Sequence, residues 1–453
     1  MTSNGTTDFR DGLLRPGEPG FEDASRLWNA RIGRRPDLVA RCSDARQVGE
    51  AVEHARRNGL RLSVKGGGHS YAANTVADGG LLIDLSPMKG VLVDAQKRTA
   101  TVEGGVTCGE LDAATQLHGL AAPTPTVSSV GVVGAALGGG GGYLTRKYGL
   151  TLDNAISMHV VTADGRKVTA SESENADLFW ALRGGGGNFG IVTQLELRLH
   201  PVGPEVLAGQ VIYPFDDVPS LIRYFREFMA QAPDEFQCYP FMFRVPAIDV
   251  FPAETHGQPV IDFVFCHADP DSTDFVQPLR KLGRPILDAV APTPYVSVQQ
   301  TFDANLPAGQ RYYSKAHDLA ALSDEVIATV VDFVPRMKGP LTAAYFDPGG
   351  GAAERVDIDA TAYFGRRAPL GFHILSGWME AAEDEAVMSW TSDFHAALAP
   401  AATGGVYVNL LADDERERVP AAYGDNYGRL RELKRAWDPA NVFRGNHNIP
   451  PAD

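Results

Sequence analysis

The sequence predicts an α+β protein of two or three domains, and three observations carry that prediction. The chain has 453 residues, too many for one compact core. Its dense glycine clusters, 66–68, 138–142 and 184–187, all lie in the first 200 residues, where helix and strand signals alternate. After Pro201 glycine thins out, and long alternating segments separated by helices take over. That second pattern is the mark of a large, mostly antiparallel sheet flanked by helices.

The elements follow in order. Residues 44–58 open with Asp44 as an N-cap, repeat apolar residues at helical spacing and end at Gly59. Residues 60–65 and 98–104 alternate like strands, and 80–85 form a short apolar run. Residues 157–163 read as a strand entering a tight turn at Asp164-Gly165, and 190–200 as a further strand. Beyond Pro201, strands are expected at 207–213, 237–244, 259–267, 341–346 and 372–378, with helices notably at 218–231 and 323–336. In residues 423–437, Leu430, Leu433 and Trp437 share one helical face, and Asp438-Pro439 stops the helix. The tail carries Phe443 and Ile449 and is expected to pack onto the rest. These changes of character divide the chain at 1–204, 205–400 and 401–453.

Composition excludes several classes of function. Hydrophobic residues make up 44% and charged residues 21%, as in an ordinary globular protein. A net charge of −15 offers no basic face for nucleic acid or an anionic membrane. No apolar run of about 18 residues is present to span a bilayer. The N-terminus shows no secretory signal, which points to the cytoplasm. The first dozen residues are polar and pattern-free, and the sequon at Asn4 is read as chance. Four scattered cysteines, Cys42, Cys108, Cys238 and Cys266, fit neither a zinc site nor a disulfide framework and are expected as buried thiols. No HExxH or spaced carboxylate–histidine cluster suggests a metal.

The chemistry gathers around Val64-Lys65-Gly66-Gly67-Gly68-His69-Ser70. A strand running into three glycines can turn successive N–H groups toward a pyrophosphate. It lacks the GxxxxGK[ST] pattern of a triphosphate loop. Further motifs follow: Gly131 to Gly134 (GVVG), Leu137 to Gly142 (LGGGGG), Thr145 to Leu150 (TRKYGL), Asp177 to Arg183 (DLFWALR) and Asn188 to Thr193 (NFGIVT). Near the end stand Tyr407-Val408-Asn409, the YGDNY run from Tyr423, and Asn448-Ile449-Pro450-Pro451. In these motifs the chain resembles the vanillyl-alcohol-oxidase superfamily, most specifically its berberine-bridge-enzyme-like branch. The match runs from about residue 35 to the end, and is loose over 205–400.

The resemblance implies a two-lobed FAD-binding domain of PCMH type and a substrate domain built on a large antiparallel sheet. It implies FAD bound covalently through His69. The cofactor would be held by the loop Val64 to Ser70, by Val127, Gly131, Gly134, Gly138, Gly139 and Gly142, and by Gly190 and Val192 on the adenine and ribose side. Tyr407, Asn409 and Asn448 complete the set. Many relatives add a cysteine link; here Val127 stands at that place, so a single histidyl link is expected. In this respect the chain looks closer to bacterial tailoring oxidases than to plant alkaloid enzymes, and its Ala, Gly and Arg usage fits a GC-rich bacterial source. The implied reaction moves hydride from a C–OH or C–N centre of a hydrophobic small molecule to flavin, with dioxygen as the partner that reoxidises it to give hydrogen peroxide. Alternatives are an oxidative cyclase or oxygenase of secondary metabolism, and a flavin-binding protein without turnover. Many relatives place a catalytic tyrosine after this asparagine, where Leu410 stands here. Strand alternation offers Tyr239, Tyr345 and Tyr363 as replacements, with Asn409 orienting substrate or flavin. His373 is read as a satisfied core histidine.

Overall fold

The computed structural model describes residues 12–72 and 76–453. Apart from Gly12, the opening segment and its Asn4 sequon lie outside the described residues.

The glycine-rich part folds around two main sheets. The smaller places Leu38–Arg41, Leu81–Asp84 and Leu62–Lys65 side by side in parallel, with Leu13–Leu14 added antiparallel. The helix Ala45–Arg57 covers it, capped as expected by the Asp44 side chain, which accepts from the Gln47 N–H. Its Val48, Ala51, Val52 and Ala55 are buried against the sheet. The other main sheet has five antiparallel strands in the order Val91–Asp94, Thr99–Glu103, Ile191–Arg198, Ala155–Val161, Lys167–Ser171. Gly165 takes the left-handed turn at φ 82° between Ala155–Val161 and Lys167–Ser171.

The second part is an eight-stranded sheet, antiparallel as expected. Its central order is Glu205–Pro214, Pro259–His267, Phe236–Arg244, Ala343–Pro348, Leu370–Trp378, Arg311–Leu319. Alternation sorts its side chains into two faces. Ile261, Phe263, Phe265, Met242, Phe346 and Phe372 face a layer of helices that includes Val218–Met229, Asp324–Phe333 and Asp384–Leu398. The opposite residues face the glycine-rich part. The strand Arg311–Leu319 and the helix Asp384–Leu398 were not among the elements read from the sequence.

The C-terminal helix Tyr427–Trp437 buries Leu430 and sends the Lys434 ammonium into the interior. There it pairs with Asp438 at 2.7 Å and donates to the carbonyls of Asn188 and Phe443. Phe443 and Ile449 are buried, as expected of the tail. This buried, fully bonded cation stitches the last residues to the glycine-rich part.

Candidate active site

The strand Leu62–Lys65 ends at the carboxyl edge of the parallel sheet, the edge where open α/β sheets bind ligands. The three glycines follow at once. A Cβ on Gly67 would lie 2.4 Å from the Gly131 nitrogen, and one on Gly131 would lie 2.6 Å from the Gly67 nitrogen. Two backbones touch here, so no other residue fits at either position. The loop then delivers His69. Its ring stacks on Trp28, centroids 4.0 Å apart, and Trp28 stacks on Tyr312 of the large sheet at 3.8 Å. The His69 Nε2 is buried with no hydrogen-bond partner. Burial pushes the imidazole pKa down to about 4, so the ring is neutral at physiological pH.

His69 lines a cavity of about 940 Å³ between the glycine-rich part and the large sheet. The whole loop Val64 to Ser70 lines it, with Val127, Gly131, Gly134, Gly142, Tyr407 and Asn409. Lys65 contributes little free charge, because its ammonium pairs with buried Asp84 at 3.3 Å and donates to the Ala24 carbonyl. Five of the expected cofactor residues do not line the cavity. Gly138 and Gly139 lie behind the C-terminal segment: Cβ atoms there would meet Asn409 Oδ1 at 2.2 Å and Tyr407 Cε2 at 2.8 Å. Gly190 is packed on Val160, and Val192 sits in the core at 2% exposure. Asn448 is half-buried beside the cavity-lining His447. Tyr407 and Asn409 clamp the glycine run: the Tyr407 hydroxyl accepts from the Gly140 N–H at 2.9 Å and from Asn409 Nδ2 at 2.9 Å.

The large sheet forms the opposite wall. Its pairing sets Ile212, Asp262, Phe241, Tyr345, His373 and Ala316 in one row across six strands. Phe241 stacks on Tyr345 with centroids 4.4 Å apart, and Tyr239 meets Tyr345 edge-on at 6.1 Å. The Tyr345 hydroxyl lies 3.0 Å from His373 Nδ1. His373 is therefore bonded, as a core histidine should be, yet it also lines the cavity. Burial pushes its pKa down to about 3. In the adjacent row, Asp347 and Asp318 flank Gly371, over which His373 leans. Burial raises their carboxyls, Asp347 to about 7 with help from Asp318, and Asp318 to about 6. Tyr363 stands in a loop outside the sheet, edge-on to Tyr407 at 6.2 Å.

Residues 36–171 match the family model described as FAD binding domain, and 406–450 match the one described as berberine and berberine like. The FAD-linked oxidoreductase YgaK of Bacillus subtilis, itself named uncharacterised, is 30% identical, with 98% of each chain covered. The chain belongs to the berberine-bridge-like FAD-linked oxidoreductases. Among solved structures, 6-hydroxy-D-nicotine oxidase from Arthrobacter nicotinovorans matches with a TM-score of 0.87 at 29% identity, covering 97% of this chain and 98% of that one. Glucooligosaccharide oxidase from Acremonium strictum, whose FAD is described as 6-S-cysteinyl and 8α-N1-histidyl, matches at 0.85 and 26%, covering 97% of each chain.

The residues of this berberine-bridge-like enzyme fit an FAD. The orphaned nitrogen of His69 has cavity-lining company in the Tyr423 hydroxyl and His447 Nδ1, both buried without partners. Buried polar atoms are normally satisfied, so these three, which share the cavity lining with two further orphans, Asp262 Oδ1 and Arg366 Nε, mark places where a large polar ligand belongs. Cys108, Cys42, Cys238 and Cys266 are all buried free thiols, and none lines the cavity. Asp262, Asp318, Asp347, Asn188 and His447 were not among the expected site residues. Asn188 alone left a signal, inside the Asn188-Phe189-Gly190 motif; its side chain bonds the Gly185 and His447 carbonyls and the Ile449 N–H. No group of residues suited to a metal ion is found among the described residues, and no helix among them is long and apolar enough to cross a membrane.

Proposed function

We propose that this enzyme is an oxidase that oxidises a C–OH or C–N centre of a small molecule, with FAD attached through His69 alone. One observation carries the reading: a neutral imidazole with an unpartnered nitrogen, delivered by a glycine loop into the same cavity as the Tyr345–His373 pair. Residues 1–204 and 401–453 form the cofactor-holding unit, and 205–400 the substrate unit. Bound FAD supplies a two-electron hydride acceptor whose electrons pass to dioxygen, releasing hydrogen peroxide.

The chain's own groups do the rest. Trp28 and Tyr312 hold the His69 ring in plane, and the neutral ring keeps a lone pair free for attachment. Val127 occupies the place of the second link and brings no nucleophile, while Cys108 is sealed in the core with its thiol pKa pushed well up by burial. Tyr345 takes the role of the tyrosine that Leu410 replaces. It receives the substrate's O–H or N–H proton while passing its own to His373 Nδ1. Asp347 and Asp318, which flank the strand position beneath the imidazole, stabilise the resulting imidazolium. Phe241, Tyr239 and Tyr363 pack an apolar substrate and exclude water.

The test is acid precipitation of the purified enzyme beside His69→Ala, followed by flavin fluorescence on a denaturing gel. A fluorescent wild-type band and a dark variant band are expected. Flavin released by the wild type would refute the covalent link. Substrates found by screening should yield about one hydrogen peroxide per product; incorporation of oxygen without peroxide would refute the oxidase reading.

A further inference from the structure

Asp262 has no part in the reaction just described, and its position is costly. It lies in the middle of Pro259–His267, between two neighbouring strands, with Val260 and Val264 beside it on the same face. Ile212 and Phe241 are its cross-strand neighbours. The residue is 2% exposed, yet its carboxylate faces the cavity and its Oδ1 has no hydrogen-bond partner. An apolar side chain would serve the sheet better, because a buried unpaired carboxylate is strongly destabilising.

No cation of the protein answers it. Among the described residues Asp262 makes no ion pair. Of the cavity-lining cations, Lys65 is paired with Asp84 and Arg366 with Asp153. Arg244 closes the far end of its strand, held by the Gly257 and Pro335 carbonyls. Beyond Asp262 the cavity opens past Ile248 and Val250, apolar side chains that are 52% and 59% exposed.

We propose that Asp262 is the recognition site for a basic nitrogen, so that the cavity takes a cationic amine whose apolar body lies along Phe241 toward Tyr345 and His373. This rests on the oxidase reading above for the reacting end, and adds the chemical class of the substrate. Asp262 and Tyr345 sit in one row two strands apart, about 10 Å between backbones at the usual strand spacing. The basic nitrogen is therefore remote from the oxidised carbon, with one ring's width of apolar structure between. Burial pushes the Asp262 carboxyl up to about 8 in the ligand-free protein, outweighing a backbone hydrogen bond from Val211 that lowers it. A cation placed beside it would bring it back down, which is how binding energy is drawn from the site. The aromatic residues between supply a sleeve for the apolar body and the quadrupole that cations favour.

The experiment uses purified flavin-loaded enzyme and isothermal calorimetry at pH 8, with 4-phenylbutylamine, 4-phenylbutanol and 4-phenylbutyramide as matched probes. The wild type should bind the amine at least tenfold more tightly than either neutral probe. Asp262→Asn should bring the three within about twofold by weakening the amine alone, and Asp262→Glu should restore the preference. Asp347→Asn should keep it. Equal binding of the three by the wild type, or tighter binding of the amide as expected of a neutral carboxyl that donates, would overturn the proposal. Loss of the preference in Asp347→Asn with retention in Asp262→Asn would also overturn it. Calorimetry reads binding whether or not the flavin is covalent, so failure of the His69 test leaves this one standing.

Discussion

The two walls of the cavity are built from different material. The wall around His69 is backbone: Gly67 and Gly131 touch main chain to main chain, and the glycine run from 138 is clamped by Tyr407 and Asn409. The wall formed by the large sheet is side chains: Phe241, Tyr239, Tyr345, His373 and three carboxylates stand in rows set by strand pairing. A backbone wall tolerates almost no substitution, since a single Cβ already collides. A side-chain wall can change its chemistry residue by residue while the sheet behind it stays intact. The first suits a constant cofactor and the second a substrate that differs from enzyme to enzyme.

That contrast can be broken at specific residues. The largest effect is expected for Gly67→Ala, whose new Cβ would lie 2.4 Å from the Gly131 nitrogen and 2.8 Å from its Cα. Backbone on backbone cannot yield cheaply, so a loss of more than about 3 kcal/mol in denaturant unfolding is expected, together with loss of bound flavin. A stable, yellow Gly67→Ala protein would mean the wall is more pliant than its geometry states.

Next comes Tyr345→Phe, which keeps the stacking on Phe241 and removes only the hydroxyl bonded to His373. A fall in kcat of about 100-fold or more is expected, with flavin content and melting temperature unchanged. An unaltered pH profile and rate would remove Tyr345 from the proton path.

Asp347→Asn tests the cost of the side-chain wall. The folded carboxyl is raised from 3.8 to about 7, so ionisation opposes folding: the penalty is absent below pH 3.8, grows as pH rises and is complete above 7. The amide removes it. The variant should therefore be more stable than wild type at pH 8, by about 1–3 kcal/mol, with the gain shrinking as pH falls through 7 toward 4. Equal stability at pH 8 would show that the carboxylate is already compensated.

The smallest effect belongs to Gly134→Ala. This glycine lines the cavity but has nothing within 4 Å of a notional Cβ. Within the helix Val132–Gly138 alanine is favoured over glycine, so the ligand-free fold should be neutral or gain up to about 1 kcal/mol. Marked destabilisation of that fold would contradict the open space.

Legibility in the sequence differed between the walls for a physical reason. The loop from Val64 to Ser70 is contiguous, so a glycine turn ending in a histidine could be read directly, while its role toward a flavin came from the family resemblance; capping at Asp44 and the turn at Gly165 are equally local. The glycines at 138 and 139 were legible as close approaches, but the atoms that approach, from Asn409 and Tyr407, lie some 270 residues away. Tyr239 and Tyr345 could be placed on strands by alternation. The strand Arg311–Leu319 was not legible because it carries Lys315 and His317, polar residues that its neighbours bury, beside the half-buried Asp318.

By itself the sequence determined the α+β class, the large antiparallel sheet and the glycine loop presenting His69, because each depends on contiguous residues and simple periodicity. Only the tertiary structure decided which residues share the wall formed by the large sheet. Alternation says that Asp262, Tyr345 and His373 each point to one side of a strand. Strand order and register, set by pairing between segments far apart in the chain, put them in a single row facing the cavity. That pairing is won by burying Phe263, Phe346 and Phe372 on the opposite face against the helices, a long-range hydrophobic gain that no local pattern encodes.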